Sequence, residues 1–427
     1  MIKPRRVILG FCIAGWVLAQ SSEVSPSGRT ANWKEDLRVF ATRMSAHQKD
    51  FSKLYHPAAF RAEVASIERE LPGISDAEVL MRLTRLIATA GVAHNGLDWA
   101  RGGVSPLPEF RYALPLTFEW YSDGLAVTGA SAEYTDILGA RIIGFGGFTI
   151  DQVMQKITPY VSHETENGLK NLSPPYLVFT AALKYLGLAD EDGAVSLTVA
   201  KRGGPPVTRR VQSTDKDPPQ TGFMEALHIK VPVFLSRSDN YWYQFLADGG
   251  TLYIQYNQCL EDPGKPFEGF IREIASVVDS HDVRRLVIDL RHNPGGPFGF
   301  INGAITDLRT RLGRLGKVYV LIGPGTFSAT VAYAVELHYY LHATLAGETA
   351  GETVGMYIAP QDVTFPHSQI TLTYTANTAK YPRWMLAALP GPANAKLGPL
   401  DPDLSIRRTV DDALNGRDPV LDAVISR

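Results

Sequence analysis

The chain has 427 residues, 45% of them apolar and 20% charged, with a formal net charge of −2. Such a composition builds packed cores in more than one domain and excludes a disordered chain. No block of like charge is present, so neither nucleic acid nor an anionic membrane surface is expected as a partner.

At the N-terminus, Lys3, Arg5 and Arg6 precede an apolar run from Val7 to Ala19, and Val17-Leu-Ala19 offers small residues at a cleavage spacing. The run is short for a bilayer span. Residues 1–19 are therefore expected to form a removable signal peptide, with a retained anchor as the alternative. The mature protein would be exported, periplasmic or extracellular, without an integral membrane span. Cys12 lies in that segment and Cys259 is left alone, which excludes an intramolecular disulfide and a thiolate metal site.

Residues 32–95 read as helical. Trp33, Leu37, Phe40 and Met44 recur at helical spacing, as do Phe60, Val64, Ile67 and Leu71. Ser75-Asp-Ala-Glu78 has the form of a capping box and opens a helix that should stop at Gly91. Directly after it comes the polar turn Val92-Ala-His-Asn-Gly96. From Pro106 to about Val211 the pattern changes to short strands and turns, with one helix from Ile150 to Ile157, and residues 212–222, with the proline-paired Thr214 to Gln220, read as a linker. The Gly144-Phe-Gly-Gly147 run lacks the dinucleotide fingerprint, and no cofactor is expected. From residue 223 onward strands alternate with helices, which argues for a mixed α/β layer. Thr251 to Tyr256 reads as a strand, Phe267 to Asp279 as an amphipathic helix and Gln369 to Tyr374 as a half-exposed strand.

The chemistry concentrates between Leu286 and Glu352. Leu286-Val-Ile-Asp-Leu290 is a buried-strand pattern that breaks into a turn ending at Gly295-Gly296. A second apolar run, Val318 to Ile322, breaks at Gly323-Pro-Gly325 and passes through Thr326-Phe-Ser-Ala-Thr330 into a helix over Val331 to Leu341. A serine at a helix start beside glycine turns suits acyl transfer: the hydroxyl supplies a nucleophile, and free backbone N–H groups can hold an oxyanion. The other reading of Ser328 is an ordinary N-cap. A serine nucleophile needs a base, and no lysine or arginine occurs between Ala329 and Ala379. His338 and His342 lie along the following helix, whereas His94 sits in a glycine-flanked turn.

Val287-Ile-Asp-Leu-Arg-His-Asn-Pro-Gly-Gly296, Thr326 to Thr330 and Gly347-Glu-Thr-Ala-Gly351 resemble the core of the C-terminal processing (tail-specific) serine peptidases, which include the tricorn core. Leu397 to Asp403 and Gly416 to Leu421 resemble the closing segment of that family, and Leu114 to Val211 is similar to its PDZ-like domain. The resemblance implies an α/β fold with a ClpP/crotonase-like core at 223–427, a PDZ-like domain at 106–222 and an N-terminal helical domain at 20–105. It implies Ser328 as nucleophile, with an oxyanion hole from the N–H groups of Gly295 or Gly296 and of Ala329. The serine–lysine dyad of part of the family is absent. His94 matches the histidine of the tricorn-like arrangement, although Val92 and Asn95 stand where that arrangement often has aspartate and threonine. Glu348, with Glu352 close behind it, is the candidate third group orienting the imidazole. Each also reads as a structural turn carboxylate.

The expectation is an exported serine peptidase acting on extended or C-terminal polypeptide segments, with no metal and no cofactor. A non-catalytic peptide or apolar-ligand binding protein on the same scaffold is the alternative, followed by an esterase.

Overall fold

A computed structural model describes residues 26–101, 107–215, 221–247, 249–299, 301–389 and 397–427. The expected signal peptide, Cys12 and residues 216–220 of the expected linker lie outside them. Among the described residues no helix is long and apolar enough to cross a membrane.

Among the described residues the chain builds three sheets around two large packed cores. The six-stranded sheet has the order Leu404–Ser405, Thr344–Gly347, Leu315–Ile322, Val283–Asp289, Thr251–Tyr256 and Tyr241–Phe245. Every neighbouring pair is parallel except the last, where Tyr241–Phe245 runs antiparallel along the edge. Alternate residues of a strand face opposite sides, and here both sides are covered. Leu252, Ile254, Leu286, Ile288, Val318 and Val320 meet helices Phe267–Ser280, Asn302–Thr310 and Ala329–Leu341. Tyr253, Val287, Tyr319 and Leu321 point the other way, towards Val420, Leu421 and Val424 of the terminal helix Pro419–Ile425. Burial on both faces explains why these strands read as nearly continuous apolar runs.

A seven-stranded antiparallel sheet takes Leu116–Tyr121, Gly124–Ala130, Arg141–Phe145, Val195–Ala200 and Val207–Val211 in that order, with Phe148–Thr149 and Thr221–Gly222 paired to its side. Val195–Ala200 alternates strictly between buried and half-buried positions. Helix Ile150–Ile157 starts at a complete capping box between Thr149 and Gln152.

The third sheet is assembled from distant parts of the chain. Gly96–Leu97 pairs with Thr371–Thr378, which pairs in turn with Tyr357–Thr364. The expected half-exposed strand at Gln369 to Tyr374 is shifted to Thr371–Thr378, and Leu372 to Thr375 are all buried. Helix Pro26–His47 is the cause: Leu37 and Phe40 share a core with Phe365, Ile370 and Leu372. The buried Asp36 carboxylate accepts the N–H groups of His367 and Ser368 at 3.0 and 2.8 Å, fixing the hairpin turn. Tyr357–Thr364 was not foreseen, because Pro360, Gln361 and Asp362 break any apolar alternation; they are tolerated on a solvent-facing edge. The expected helix near Phe267 ends at Ser280, and the capping box at Ser75 opens helix Asp76–Ala88 with Ser75 Oγ accepting from Glu78 N–H.

Candidate active site

The serine lies where two strands of the parallel sheet end. After Leu315–Ile322, Gly325 packs so closely on the preceding turn that a Cβ there would meet Arg291 O at 2.5 Å. Thr326 Oγ1 donates to Leu290 O and accepts from Gly323 N–H, each at 3.0 Å, while Phe327 N–H donates to Asn293 O at 3.2 Å. These bonds lace the turn after Asp289 to the turn after Ile322.

Ser328 then takes φ +55° and ψ −130°, a conformation costing on the order of 1–3 kcal/mol for a residue with a Cβ. An ordinary N-cap would be extended, with its hydroxyl accepting from the first helical turn. Ser328 makes no such bond. Its Oγ lies 3.0 Å from His94 Nε2, and its N–H donates to Glu352 Oε2 at 2.6 Å.

His94 reaches the serine from far upstream. Helix Asp76–Ala88 ends in a turn closed at Gly91, where φ is +61°, and Asn95 N–H closes the next turn onto Val92 O at 3.0 Å. Gly96 and Leu97 then enter the third sheet opposite Thr373 and Leu372. Asn95 Oδ1 accepts from the Thr375 hydroxyl at 3.2 Å, and Gln48 holds Thr375 from behind through its N–H and its hydroxyl at 3.1 and 3.0 Å. The imidazole, 8% exposed, packs 5.0 Å from the Phe327 ring. Its Nδ1 lies 2.7 Å from Oε1 of Glu352, which is wholly buried. A carboxylate at Nδ1 selects the tautomer with the proton there, leaving Nε2 to accept from the serine hydroxyl.

Glu348, the expected third group, does not meet the imidazole. It directly follows strand Thr344–Gly347, its N–H bonded to Ile322 O at 3.0 Å. Burial pushes its carboxyl up, while Arg407, Lys170 and Arg291 pull it down. The chain then folds back: Gly351 N–H donates to Thr326 O at 3.0 Å, and a Cβ on Gly351 would strike Pro324 O at 2.3 Å. That return brings Glu352 to the serine. Both carboxylates were visible as candidates in the sequence, and only the packing of Gly351 separates them.

The glycines behave unequally as well. Gly295 has φ +93°, and a Cβ there would lie 2.5 Å from Ser328 Cβ, so only glycine lets this loop touch the serine. Its N–H, however, is already given to Asn293 Oδ1 at 2.9 Å. The N–H groups of Gly296 and Ala329 have no acceptor among the described residues. Gly296 has φ +140°, and a Cβ there would lie 2.5 Å from Cys259 O.

Beneath the loop Arg291 is held between two buried carboxylates. It donates to Asp289 Oδ2 at 2.6 Å and to Asp418 Oδ1 and Oδ2 at 2.8 and 2.7 Å, and Tyr253 adds a bond to Asp289 at 2.6 Å. Asp289 thus pairs with Arg291, and Asp418 completes the arrangement. Burial raises the Asp418 carboxyl, but the Arg291 guanidinium more than offsets this and leaves it below the ordinary range. Among the described residues no cluster of histidine, cysteine or carboxylate side chains could hold a metal ion.

No family model matches the chain, and no curated protein sequence does. Among solved structures, mature CPAF aligns over 92% of this chain and 96% of its own, with a TM-score of 0.62 at 16% identity. Mature CPAF complexed with lactacystin gives a TM-score of 0.63 at 15% identity, over 92% of this chain and 97% of that one. The structural neighbours also include the tricorn protease, with a TM-score of 0.40 at 13% identity over 92% of this chain and 36% of that one. The chain has the CPAF fold.

Proposed function

We propose that the chain is an exported serine peptidase of the C-terminal processing family, with a ClpP/crotonase-like core at 223–427 and a PDZ-like domain at 106–222. The observation that carries this is the continuous path from Glu352 Oε1 to His94 Nδ1, and from His94 Nε2 to Ser328 Oγ. The fold shared with CPAF and the motifs around Gly295, Ser328 and Gly351 support the scaffold.

On this reading Ser328 Oγ attacks the scissile carbonyl while His94 Nε2 takes its proton, and Glu352 holds the imidazolium that forms. The N–H groups of Gly296 and Ala329 receive the oxyanion, because that of Gly295 is engaged with Asn293. His94 returns the proton to the leaving amine, which departs and leaves the acyl group on Ser328. Water then repeats the sequence to release the acid. The antiparallel sheet would take an extended polypeptide end by strand addition.

A fluorophosphonate probe tests the serine directly. The purified protein is expected to be labelled, and both Ser328→Ala and His94→Ala to lose the label with their circular dichroism unchanged. Labelling that persists in Ser328→Ala would rule this serine out. Turnover of peptides against small esters then separates a peptidase from an esterase.

A further inference from the structure

A polar segment of the seven-stranded-sheet region grips the turn that carries Glu352. Thr165 Oγ1 lies 3.0 Å from both Ala350 O and Gly351 O, and Asn167 Nδ2 donates to Thr349 O at 2.8 Å. Gly168 approaches so closely that a Cβ there would lie 2.2 Å from Gly351 O. Glu164 completes the grip. Its Oε2 accepts from the Thr353 hydroxyl at 2.7 Å and from Thr353 N–H at 3.2 Å, while its Oε1 is buried with no partner among the described residues.

Neutral side chains suffice to tie down a turn, as Thr165 and Asn167 show. A buried carboxyl group near enough to Glu352 and His94 to feel their charges does something else as well. The charged groups acting on it are Glu352 and His94, and it acts in turn on Tyr357, whose hydroxyl donates to Asp50. We propose that Glu164 is a positioning residue for the His94–Glu352 pair, holding the Glu352 turn through Thr353 and setting the charge behind the imidazole. This rests on the serine-hydrolase reading above.

Burial, reinforced by the Glu352 carboxylate, pushes the Glu164 carboxyl up to about 7, against the opposing pull of Thr353 and His94. Below that pH Glu164 is neutral. Above it, a second negative charge lies behind the imidazole and stabilises the imidazolium formed as Ser328 attacks. Full reactivity would then need two groups deprotonated, so acid should suppress it more steeply than a single titrating group would.

The second-order rate of fluorophosphonate labelling, followed from pH 5 to 9, reads this without knowledge of the substrate. The native protein is expected to show an acid limb steeper than one proton. Glu164→Gln, which keeps an oxygen for Thr353, should show a single-proton limb and label about tenfold more slowly at pH 8, the equivalent of one pKa unit. Superimposable limbs in the two proteins, differing only by a constant factor, would reduce Glu164 to a structural clasp and overturn the proposal. Should Glu164→Gln misfold, Thr353→Val removes the hydroxyl bond from the other side. The same limb should then change shape, and an unchanged limb would again overturn the proposal. Absence of labelling in the native protein would instead sink the serine-hydrolase reading, and this inference with it.

Discussion

The serine and the histidine are positioned by different kinds of structure. Ser328 sits on a turn built from neighbouring strands of one parallel sheet, with the Leu290–Gly296 and Gly323–Thr326 loops bonded to each other. His94 hangs from a helix end and is fixed by a strand from the far end of the chain, Thr371–Thr378. The first arrangement is dense with glycines that tolerate no Cβ, and it rests on the buried Arg291 ion pairs. The second depends on single polar bonds among Gln48, Thr375 and Asn95. A nucleophile held in a strained conformation needs a rigid, over-determined elbow, whereas a base needs only its ring plane and its tautomer fixed. Glu352 joins the two halves, since one oxygen meets His94 Nδ1 and the other accepts the Ser328 N–H.

The sharpest way to break this comparison is at the joint. Glu352→Gln places an amide NH₂ against either the Nδ1 proton or the Ser328 N–H, both donors, so one bond must fail. Labelling of Ser328 should slow by about 10²–10⁴-fold, in keeping with removal of the group that orients a catalytic imidazole. Glu348→Gln should stay within about threefold of the native rate, because that side chain acts on neither partner. Equal losses in the two variants would dissolve the distinction between the carboxylates.

The elbow's foundation should show itself in stability. Asp418→Asn leaves Arg291 with one buried partner and is expected to lower unfolding stability by about 3 kcal/mol, measured by urea denaturation at pH 7. The folded Asp418 carboxyl lies below its unfolded value, so its contribution is present above the ordinary carboxylate range and fades as pH falls through the lowered value. The variant's melting temperature should accordingly fall less steeply in acid than that of the native protein. Parallel acid profiles would remove Asp418 from this role.

The smallest effect belongs to the histidine side. Thr375→Val deletes the hydroxyl that links Gln48 to Asn95, for a cost of about 1 kcal/mol in stability. The labelling rate should fall only severalfold, and the elbow should not feel the change. A loss as large as that in Glu352→Gln would mean that the base is held as tightly as the nucleophile.

Much of the serine side was legible in advance because its determinants are local. Strand runs that end in glycine and a serine beginning a helix both lie within one stretch of chain. Ser328 could still have been a plain cap, since its φ of +55° is imposed by the Gly295 loop and by Glu352, and neither leaves a mark at the serine itself. Gly295 and Gly296 stood as alternative oxyanion donors because nothing in the sequence reveals that Asn293 folds back to occupy the Gly295 N–H.

Composition, strand patterning and the glycine turns determined that the chain forms a mixed α/β protein with a serine at a helix start just past a buried strand, because backbone sterics and side-chain periodicity act over a few residues. The family resemblance already marked His94, but how it reaches that serine, and which glutamate faces it, was decided only by tertiary structure. His94 arrives through pairing of Gly96 and Leu97 with a hairpin at the other end of the chain, and Glu352 is aimed by the packing of Gly351 on Pro324 and Thr326. Contacts of that range are fixed by how cores and sheet edges meet, and a linear pattern does not carry them.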